Sequence, residues 1–105
     1  MHLKLAEIKP KEIMSGYHGK LVHTETMTLA FWEVDQDAEV PEHNHMNEQV
    51  MYVKEGEFQF TLEGETKIYH PGDIVVIGAY KKHSGKALTP CKLLDVFSPP
   101  REQYK

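Results

Sequence analysis

A segment in the middle of the chain alternates strictly between apolar and polar side chains. Apolar residues occupy positions 58, 60 and 62, and polar residues occupy positions 59, 61 and 63. Because successive side chains of a strand point to opposite faces, this pattern predicts a half-buried β-strand. Gly56 and Gly64 flank the segment and predict tight turns. No long window shows apolar residues at helical spacing, so the chain is limited to folds built from short strands.

Similar segments recur along the chain, separated by turn residues such as Asp35–Asp37 and Pro71–Asp73. We predict strands at residues 20–25, 26–34, 49–54, 58–63, 66–69, 74–77, 83–88 and 92–97. Short strands repeated in this way indicate an all-β sandwich or barrel. A chain of 105 residues fits one domain. We expect a single domain over residues 1–105, with a barrel core over about residues 20–98 and an N-terminal extension over residues 1–19, whose first dozen residues add a strand outside the barrel.

Composition argues against several classes of partner. The net charge is −4, so the chain has no global basic surface for nucleic acid. No apolar run is long enough to cross a membrane, and the N-terminus lacks the apolar core of a signal peptide. The single cysteine, Cys91, excludes an internal disulfide and fits a reducing compartment. We therefore expect a cytoplasmic protein that binds neither nucleic acid nor membrane.

Four residues predict a metal site. His43 and His45 are two positions apart and would share one side of a regular strand, where Gln49 would also lie; His83 follows on a later strand. Imidazole nitrogen and amide oxygen both bind divalent transition metals. Glu48 is the rival to Gln49, and three surface imidazoles without metal are the alternative to the site. Zinc, nickel, manganese, iron and cobalt all suit the four donors.

Asp95 lies in the apolar segment 92–97. A carboxylate in such surroundings has a shifted pKa, which suits proton transfer; the alternative is a structural Asp that holds a turn or pairs with a cation. By alternation, Asp95 and Phe97 share one face, while Leu94 and Val96 share the other. Because both faces carry apolar residues, the strand also indicates a homodimer interface.

The spacing of these residues resembles the two motifs of the cupin family. In the first motif, Asp37 stands where the family has glycine, and His43, His45, Gln49 (in place of glutamate) and Gly56 follow at the family's intervals. In the second motif, Gly72 and His83 match, while Gly78, Tyr80 and Ala87 replace the family's proline, glycine and asparagine. The resemblance covers about residues 20–98. It implies a double-stranded jelly-roll β-barrel that holds a metal through His43, His45, Gln49 and His83.

A narrower resemblance lies at the C-terminus. The string Leu94–Arg101, together with the histidine motif, is similar to the pectin degradation cupins, which convert ring-form unsaturated uronates into linear keto sugars. This resemblance implies a catalytic acid or base at Asp95 and a substrate site beside Phe97 and Arg101. Arg101 suits a sugar carboxylate, the alternative being a solvated charge. Met51 shares the face of Gln49 by alternation and would line the cavity or fill the core.

The predicted activity is a metal-dependent isomerisation of a small carboxylated sugar. Two other functions stay open at this point. The first is a non-catalytic cupin that binds a small ligand, and the second is an iron-dependent dioxygenase. The neutral Gln49 counts against the dioxygenase, because it leaves the metal site without a negative protein charge.

Overall fold

Ten β-strands and two short 3-10 helices make up the chain, and the computed structural model describes all of residues 1–105. The strands are β1 (Lys11–Met14), β2 (Tyr17–His23), β3 (Thr28–Val34), β4 (Glu39–His43), β5 (Glu48–Glu55), β6 (Phe58–Leu62), β7 (Glu65–Tyr69), β8 (Ile74–Ile77), β9 (His83–Ala87) and β10 (Cys91–Ser98). The 3-10 helices cover Leu5–Glu7 and Glu102–Tyr104. The expected all-β class is confirmed. No helix is long and apolar enough to span a membrane.

The strands form two antiparallel sheets. One sheet has six strands in the order β1-β2-β3-β10-β5-β8, and the other has four in the order β4-β9-β6-β7. Strand β10 lies between β3 and β5, so Asp95 pairs with Ala30 on one side and with Met51 on the other. Phe97 pairs with Gln49 in the same way. This register places the polar residues of β5 and β10 beside each other on the inner face.

Alternating side chains fill the space between the sheets. In β10, every second residue from Cys91 to Phe97 is buried, and the residues between are only partly covered. The core contains fourteen buried apolar residues, among them Trp32, Phe58 and Phe60. Burial of one such side chain stabilises the fold by about 1.5–3 kcal/mol. The side chains of Thr28, Gln49 and Asp95 are also buried on this inner face, which marks the polar part of the interior.

Two turns have the conformations that their motif positions require. Asp37 has a φ of 68°, a left-handed conformation that Asp tolerates better than most residues. Gly56 has a φ of 88°, and a Cβ atom there would collide with the carbonyl oxygen of Pro90. Asp37 can therefore adopt the backbone conformation that its turn requires, whereas the turn at position 56 needs glycine.

The structure differs from the expected strands at two places. The prediction of one strand carrying His43, His45 and Gln49 is wrong, because β4 ends at His43 and β5 starts at Glu48 in the other sheet. The alternation rule did not identify β4, which contains Pro41 and forms the edge of its sheet, where a residue without an N–H group is tolerated. Strand β2 begins at Tyr17, and β1 pairs with it from Lys11, so the six-stranded sheet extends into residues 1–19.

Candidate functional site

Three histidines meet between the two sheets. His43, the last residue of β4, pairs with His83, the first residue of β9. His45 lies in the connection that crosses to β5. One ligand atom from each of the three residues lies within 4.8 Å of the other two. The structure brings together the imidazoles that the spacing singles out, although they come from two strands and a loop.

Backbone carbonyl groups orient all three imidazoles. The Nδ1 atoms of His43, His45 and His83 lie 2.9, 3.0 and 2.8 Å from the carbonyl oxygens of Pro41, Asn47 and Lys81, respectively. Because a carbonyl oxygen only accepts, Nδ1 carries the proton in the neutral form of each ring. The lone pair of each Nε2 is then free for a ligand, which is the usual arrangement around a histidine-bound metal.

Burial keeps two of these imidazoles neutral. Desolvation, the largest cause, lowers the pKa of His83 to about 4 and also lowers the pKa of His45. The positive charge of Arg101 lowers both pKa values further. The Nε2 atom of His83 is buried and has no hydrogen-bond partner. Neutral imidazoles with free lone pairs are the form that binds metal.

Gln49 contributes an oxygen atom next to the histidines. Its Oε1 lies 3.2 Å from Nε2 of His45. With the proton of His45 on Nδ1, both of these atoms are acceptors, and a cation bound by both would satisfy them. Glu48, the rival, is exposed and pairs with Ser98, while Gln49 is buried. Three imidazoles and an amide oxygen fit a divalent transition metal.

Asp95 is buried on the inner face of β10. Its Oδ2 accepts a hydrogen bond of 3.0 Å from the indole Nε1 of Trp32, while its Oδ1 has no partner. Desolvation raises the pKa of Asp95 to about 6, although the nearby Gln49 amide and the Trp32 indole oppose the shift. A carboxyl group that titrates near neutral pH and has one free oxygen is suited to take and return a proton.

Met51 and Phe97 lie beside Asp95 and Gln49. Met51 is 1% exposed and pairs with Asp95. The ring of Phe97 lies edge-on to the ring of His45, with centroids 5.7 Å apart. Both side chains are apolar and exclude water from the space around the carboxyl group, which maintains its raised pKa.

Arg101 is held by the C-terminal segment. Its backbone N–H donates to Oγ1 of Thr28, and its Nη1 donates to Oε1 of Gln103 over 2.7 Å. The guanidinium lies 4.8 Å from the ring centroid of Tyr104 and 5.7 Å from that of Phe97. Arg101 is only 8% exposed, so the alternative of a solvated terminal charge is wrong.

One cavity joins the polar residues of the interior. It has a volume of about 40 Å³, which is room for about three water molecules. The side chains that line it include those of His43, His83, Gln49, Met51, Asp95 and Phe97. Arg101 is not among the lining residues and lies behind Phe97 and Tyr104. The guanidinium therefore acts on the cavity mainly through its charge.

Comparison with known proteins identifies the family and the fold. The family described as "Cupin domain" matches residues 30–97. The chain belongs to the cupin family. A search of curated protein sequences found no match. Among solved structures, KdgF from Halomonas sp. is 29% identical, covers all of this chain and 98% of its own, and has a TM-score of 0.93.

Two further cupin-like structures show the same fold. An RmlC-like cupin from Shewanella frigidimarina NCIMB 400 is 27% identical, with a TM-score of 0.94, and the match covers 100% of this chain and 96% of that one. The polyketide cyclase RemF from Streptomyces resistomycificus is 20% identical, with a TM-score of 0.82, over 93% of this chain and 78% of that one. These matches confirm the jelly-roll fold that the sequence motifs imply.

Two residues of this cupin site have no signal in the sequence. Trp32 donates to Asp95, and Asn47 donates through Nδ2 to the carbonyl oxygens of Pro99 and Pro100, over 2.6 and 3.2 Å. The alternation of β3 places Trp32 on a buried face, which predicts packing and not a polar contact. Asn47 lies in an irregular loop, so no periodic pattern identifies its partners.

Proposed function

We propose that this cupin is a metal-dependent enzyme that converts a ring-form unsaturated uronate into its linear keto form. His43, His45, Gln49 and His83 hold the metal, which is zinc, nickel, manganese, iron or cobalt. The observation that carries the proposal is Asp95, a buried carboxyl group with one free oxygen in the cavity that His43 and His83 line. The resemblance of Leu94–Arg101 to the pectin degradation cupins and the full-length likeness to KdgF support the choice of substrate.

The conversion needs proton transfers and no covalent intermediate. Loss of the proton from the anomeric hydroxyl forms the anomeric carbonyl and breaks the bond between the anomeric carbon and the ring oxygen, which leaves as an enolate. Protonation of the far carbon of the double bond then gives the ketone, so one proton is removed and one is added. A bound metal supplies Lewis acidity toward a substrate oxygen. Asp95 takes the first proton on its free Oδ1 and delivers one to carbon, and its pKa of about 6 suits both roles.

The remaining residues bind and orient the substrate. Arg101 attracts the sugar carboxylate by its charge, and its stacking on Phe97 and Tyr104 keeps the guanidinium in place. Phe97 and Met51 cover the reacting atoms and exclude water. The ligand is therefore a small carboxylated sugar.

Metal content tests the first part of the proposal. We expect about one metal ion per chain in the purified protein and loss of this metal in His83→Ala. Gln49→Ala should weaken metal binding by about ten- to a hundredfold, in the range seen when groups around a metal are removed. Glu48→Ala is the matched control and should bind as the wild type does. An equal loss of metal affinity in Gln49→Ala and Glu48→Ala would contradict Gln49 as a donor. A wild type that binds no metal after reconstitution would contradict the whole set of donors.

Turnover tests the second part. The metal-loaded protein should convert an unsaturated galacturonate monomer, followed by loss of the enol absorbance, and Asp95→Asn should reduce kcat by about 10²–10⁴-fold. Retained turnover in Asp95→Asn contradicts the assigned role. Binding of the uronate without turnover would indicate a ligand-binding cupin. Oxygen consumption with ferrous iron would indicate a dioxygenase.

We also propose a homodimer through the outer face of the six-stranded sheet. Register pairing aligns two apolar rows across this face, namely Phe31, Leu94, Tyr52 and Ile74, and Leu29, Val96, Val50 and Val76. Ile74 and Val76 are 64% and 63% exposed. A contiguous exposed apolar surface of this kind is typical of a protein interface, and a second copy of the same sheet is complementary to it by two-fold symmetry.

The molar mass in solution tests the dimer. Light scattering should give twice the chain mass for the wild type and the chain mass for Val76→Glu, because the new charge would be buried in the interface. Ile68→Glu is the matched control, since Ile68 is 47% exposed on the four-stranded sheet; it should remain dimeric. A monomeric wild type, or dimers of unchanged stability in Val76→Glu, would contradict the proposed interface.

A further inference from the structure

The loop that connects β8 to β9 lies directly beside the histidines. Its backbone N–H group at Tyr80 donates to the carbonyl oxygen of His45 over 2.8 Å. The carbonyl oxygen of the next residue, Lys81, accepts from Nδ1 of His83, also over 2.8 Å. This one loop therefore contacts two of the three imidazole residues, and Tyr80 is attached to the protein at the edge of the histidine cluster.

Tyr80 has an unfavourable backbone conformation. Its φ is 62°, a left-handed value that is disfavoured by a Cβ atom and is rare for a bulky residue. The cupin motif has glycine at this position, and glycine adopts the conformation without strain. The hydrogen bond to His45 uses only the backbone of residue 80. The fold of the loop therefore does not explain why a tyrosine is present.

Packing within the chain does not explain the tyrosine either. Its side chain is 66% exposed, so few atoms of the protein cover the ring. Met46, which follows His45, is 55% exposed. Each of the two adjoining loops thus presents a large apolar side chain to solvent beside the histidines. Removal of such side chains from water is favourable, and a ligand bound at the histidines would provide it.

The size of the cavity leaves most of a bound sugar outside it. A volume of about 40 Å³ holds about three water molecules, which is much less than a whole sugar acid needs. His43 lines the cavity and is also partly exposed, so a ligand can reach the histidines from the surface. Only the reacting end of a sugar can enter, and the rest of its ring lies at the surface, where residues 46 and 80 adjoin the histidines.

The charge of this loop agrees with an anionic ligand. Lys81 and Lys82 follow Tyr80 and are exposed, although the chain as a whole has a net charge of −4. A local positive charge raises the concentration of an anion at the surface. The loop therefore combines an aromatic ring with positive charge, a combination that suits a carboxylated sugar, whose ring has an apolar C–H face.

We propose that Tyr80 is a specificity-determining residue whose ring packs against the apolar face of the sugar ring at the histidines. The nature of the ligand rests on the proposed function, while the exposure and the backbone conformation of Tyr80 do not depend on it. Acids with a sugar ring should bind more tightly than open-chain acids of the same charge, which offer no such face.

Tyr80→Gly removes the ring and also relieves the backbone conformation. Asp37→Gly is the matched control, because Asp37 is exposed and has a φ of 68°. Its turn bonds to Ala87, at the end of β9 opposite to His83. Both variants should have an equal or higher Tm and the metal affinity of the wild type. A structural role for the tyrosine would instead lower the Tm of Tyr80→Gly.

Binding and turnover measure the role of the ring. The probes for calorimetric titration of the metal-loaded protein are D-galacturonate, a ring-form acid, and D-gluconate, an open-chain acid. We expect Tyr80→Gly to raise the galacturonate Kd, and the KM for an unsaturated galacturonate monomer, by about three- to tenfold, the scale of re-exposing part of one aromatic ring to water. The gluconate Kd should not change. Tyr80→Phe should restore the galacturonate Kd, and Asp37→Gly should not alter it.

The outcomes separate this inference from the proposed function. Turnover by the wild type with unchanged Kd and KM in Tyr80→Gly overturns the role of Tyr80 and leaves the proposed reaction standing. Weaker galacturonate binding in Tyr80→Gly, in a wild type without turnover, supports Tyr80 and overturns the reaction. A wild type that neither binds nor turns over overturns both.

Two further results would also overturn the role of Tyr80. Lower metal affinity in Tyr80→Gly, or equal weakening of galacturonate and gluconate binding, would show that the variant acts through His45 and not through the ring. A lower molar mass of Tyr80→Gly with an unchanged galacturonate Kd would assign the ring to a protein interface.

Discussion

The indole Nε1 of Trp32 donates a hydrogen bond of 3.0 Å to Oδ2 of Asp95. The two residues lie on neighbouring strands but are not directly paired, since Ala30 pairs with Asp95 and Leu93 pairs with Trp32. The contact is therefore diagonal across the inner face, a distance that only a long side chain spans. It occupies one carboxylate oxygen and leaves Oδ1 without a partner, which positions the group proposed to move protons.

A double-mutant cycle measures this hydrogen bond. Trp32→Phe and Asp95→Ala, alone and combined, should give a coupling free energy of about 1.5–3 kcal/mol at pH 8, where Asp95 is ionised, because a bond to a charged group is worth that much. Urea denaturation of the four proteins gives the value. Loss of packing around the indole cancels in the cycle. Additive effects, within about 0.5 kcal/mol, would contradict the bond.

Gly19 provides the space for the indole ring. A Cβ atom at this position would lie 2.6 Å from Cζ3 of Trp32, so Gly19→Ala should displace the ring and lower stability by about 1–3 kcal/mol. Trp32 is the single tryptophan of the chain, and its fluorescence emission should shift in the folded variant. Gly78→Ala is the control, because its nearest new contact, with Lys81, is 3.4 Å away. Equal free energies of unfolding for Gly19→Ala and Gly78→Ala would show that the Trp32 ring does not need glycine at position 19.

Asn47 connects the histidine loop to the C-terminal segment. Asn47→Ala removes the two bonds to the carbonyl oxygens of Pro99 and Pro100 and should lower the free energy of unfolding by about 1–3 kcal/mol. Asn47→Asp should be more harmful, because it directs a carboxylate at two carbonyl oxygens. Asn47→Asp should also weaken metal binding by about tenfold, because the backbone carbonyl group of residue 47 orients the ring of His45. Denaturation and metal titration measure both effects, and an aspartate variant as stable as the alanine variant would contradict this account.

Protonation of His83 should lower the stability of the metal-free protein as the pH falls from 7 to 4. The pKa of His83 is about 4 in the folded chain and about 6.5 when unfolded, so the unfolded state binds a proton first and is favoured. The loss due to His83 should reach about 3 kcal/mol at pH 4. Asp95 acts in the opposite sense, since its pKa of about 6 lets the folded state take a proton before the unfolded state.

Comparison with His83→Asn isolates the histidine, because the Asp95 contribution is present in both proteins. Urea denaturation in the presence of a chelator, at several pH values, should show that the wild type loses about 3 kcal/mol more stability than His83→Asn between pH 7 and pH 4. Identical slopes would contradict the lowered pKa of His83.

The sequence predicted the cluster of histidines correctly but predicted the strand that carries them incorrectly. Their spacing predicted that His43, His45 and His83 lie together, yet the reason given, one regular strand, is wrong. The chain leaves β4 after His43 and enters the other sheet at Glu48. Gln49 still reaches His45, because the loop closes the gap between the sheets. A motif can therefore identify a cluster correctly while its local geometry is misjudged.

The sequence by itself determined the β class, most strand positions, the turns at Asp37 and Gly56, and the histidine cluster. These features depend on alternation and turn stereochemistry, which neighbouring residues encode. The tertiary structure alone decided the bonds of Trp32 to Asp95 and of Asn47 to Pro99, which join residues 63 and 52 positions apart, and the placement of Tyr80 beside His45. Such contacts depend on which strands pair and in which register, and that choice is made by the packing of the whole core.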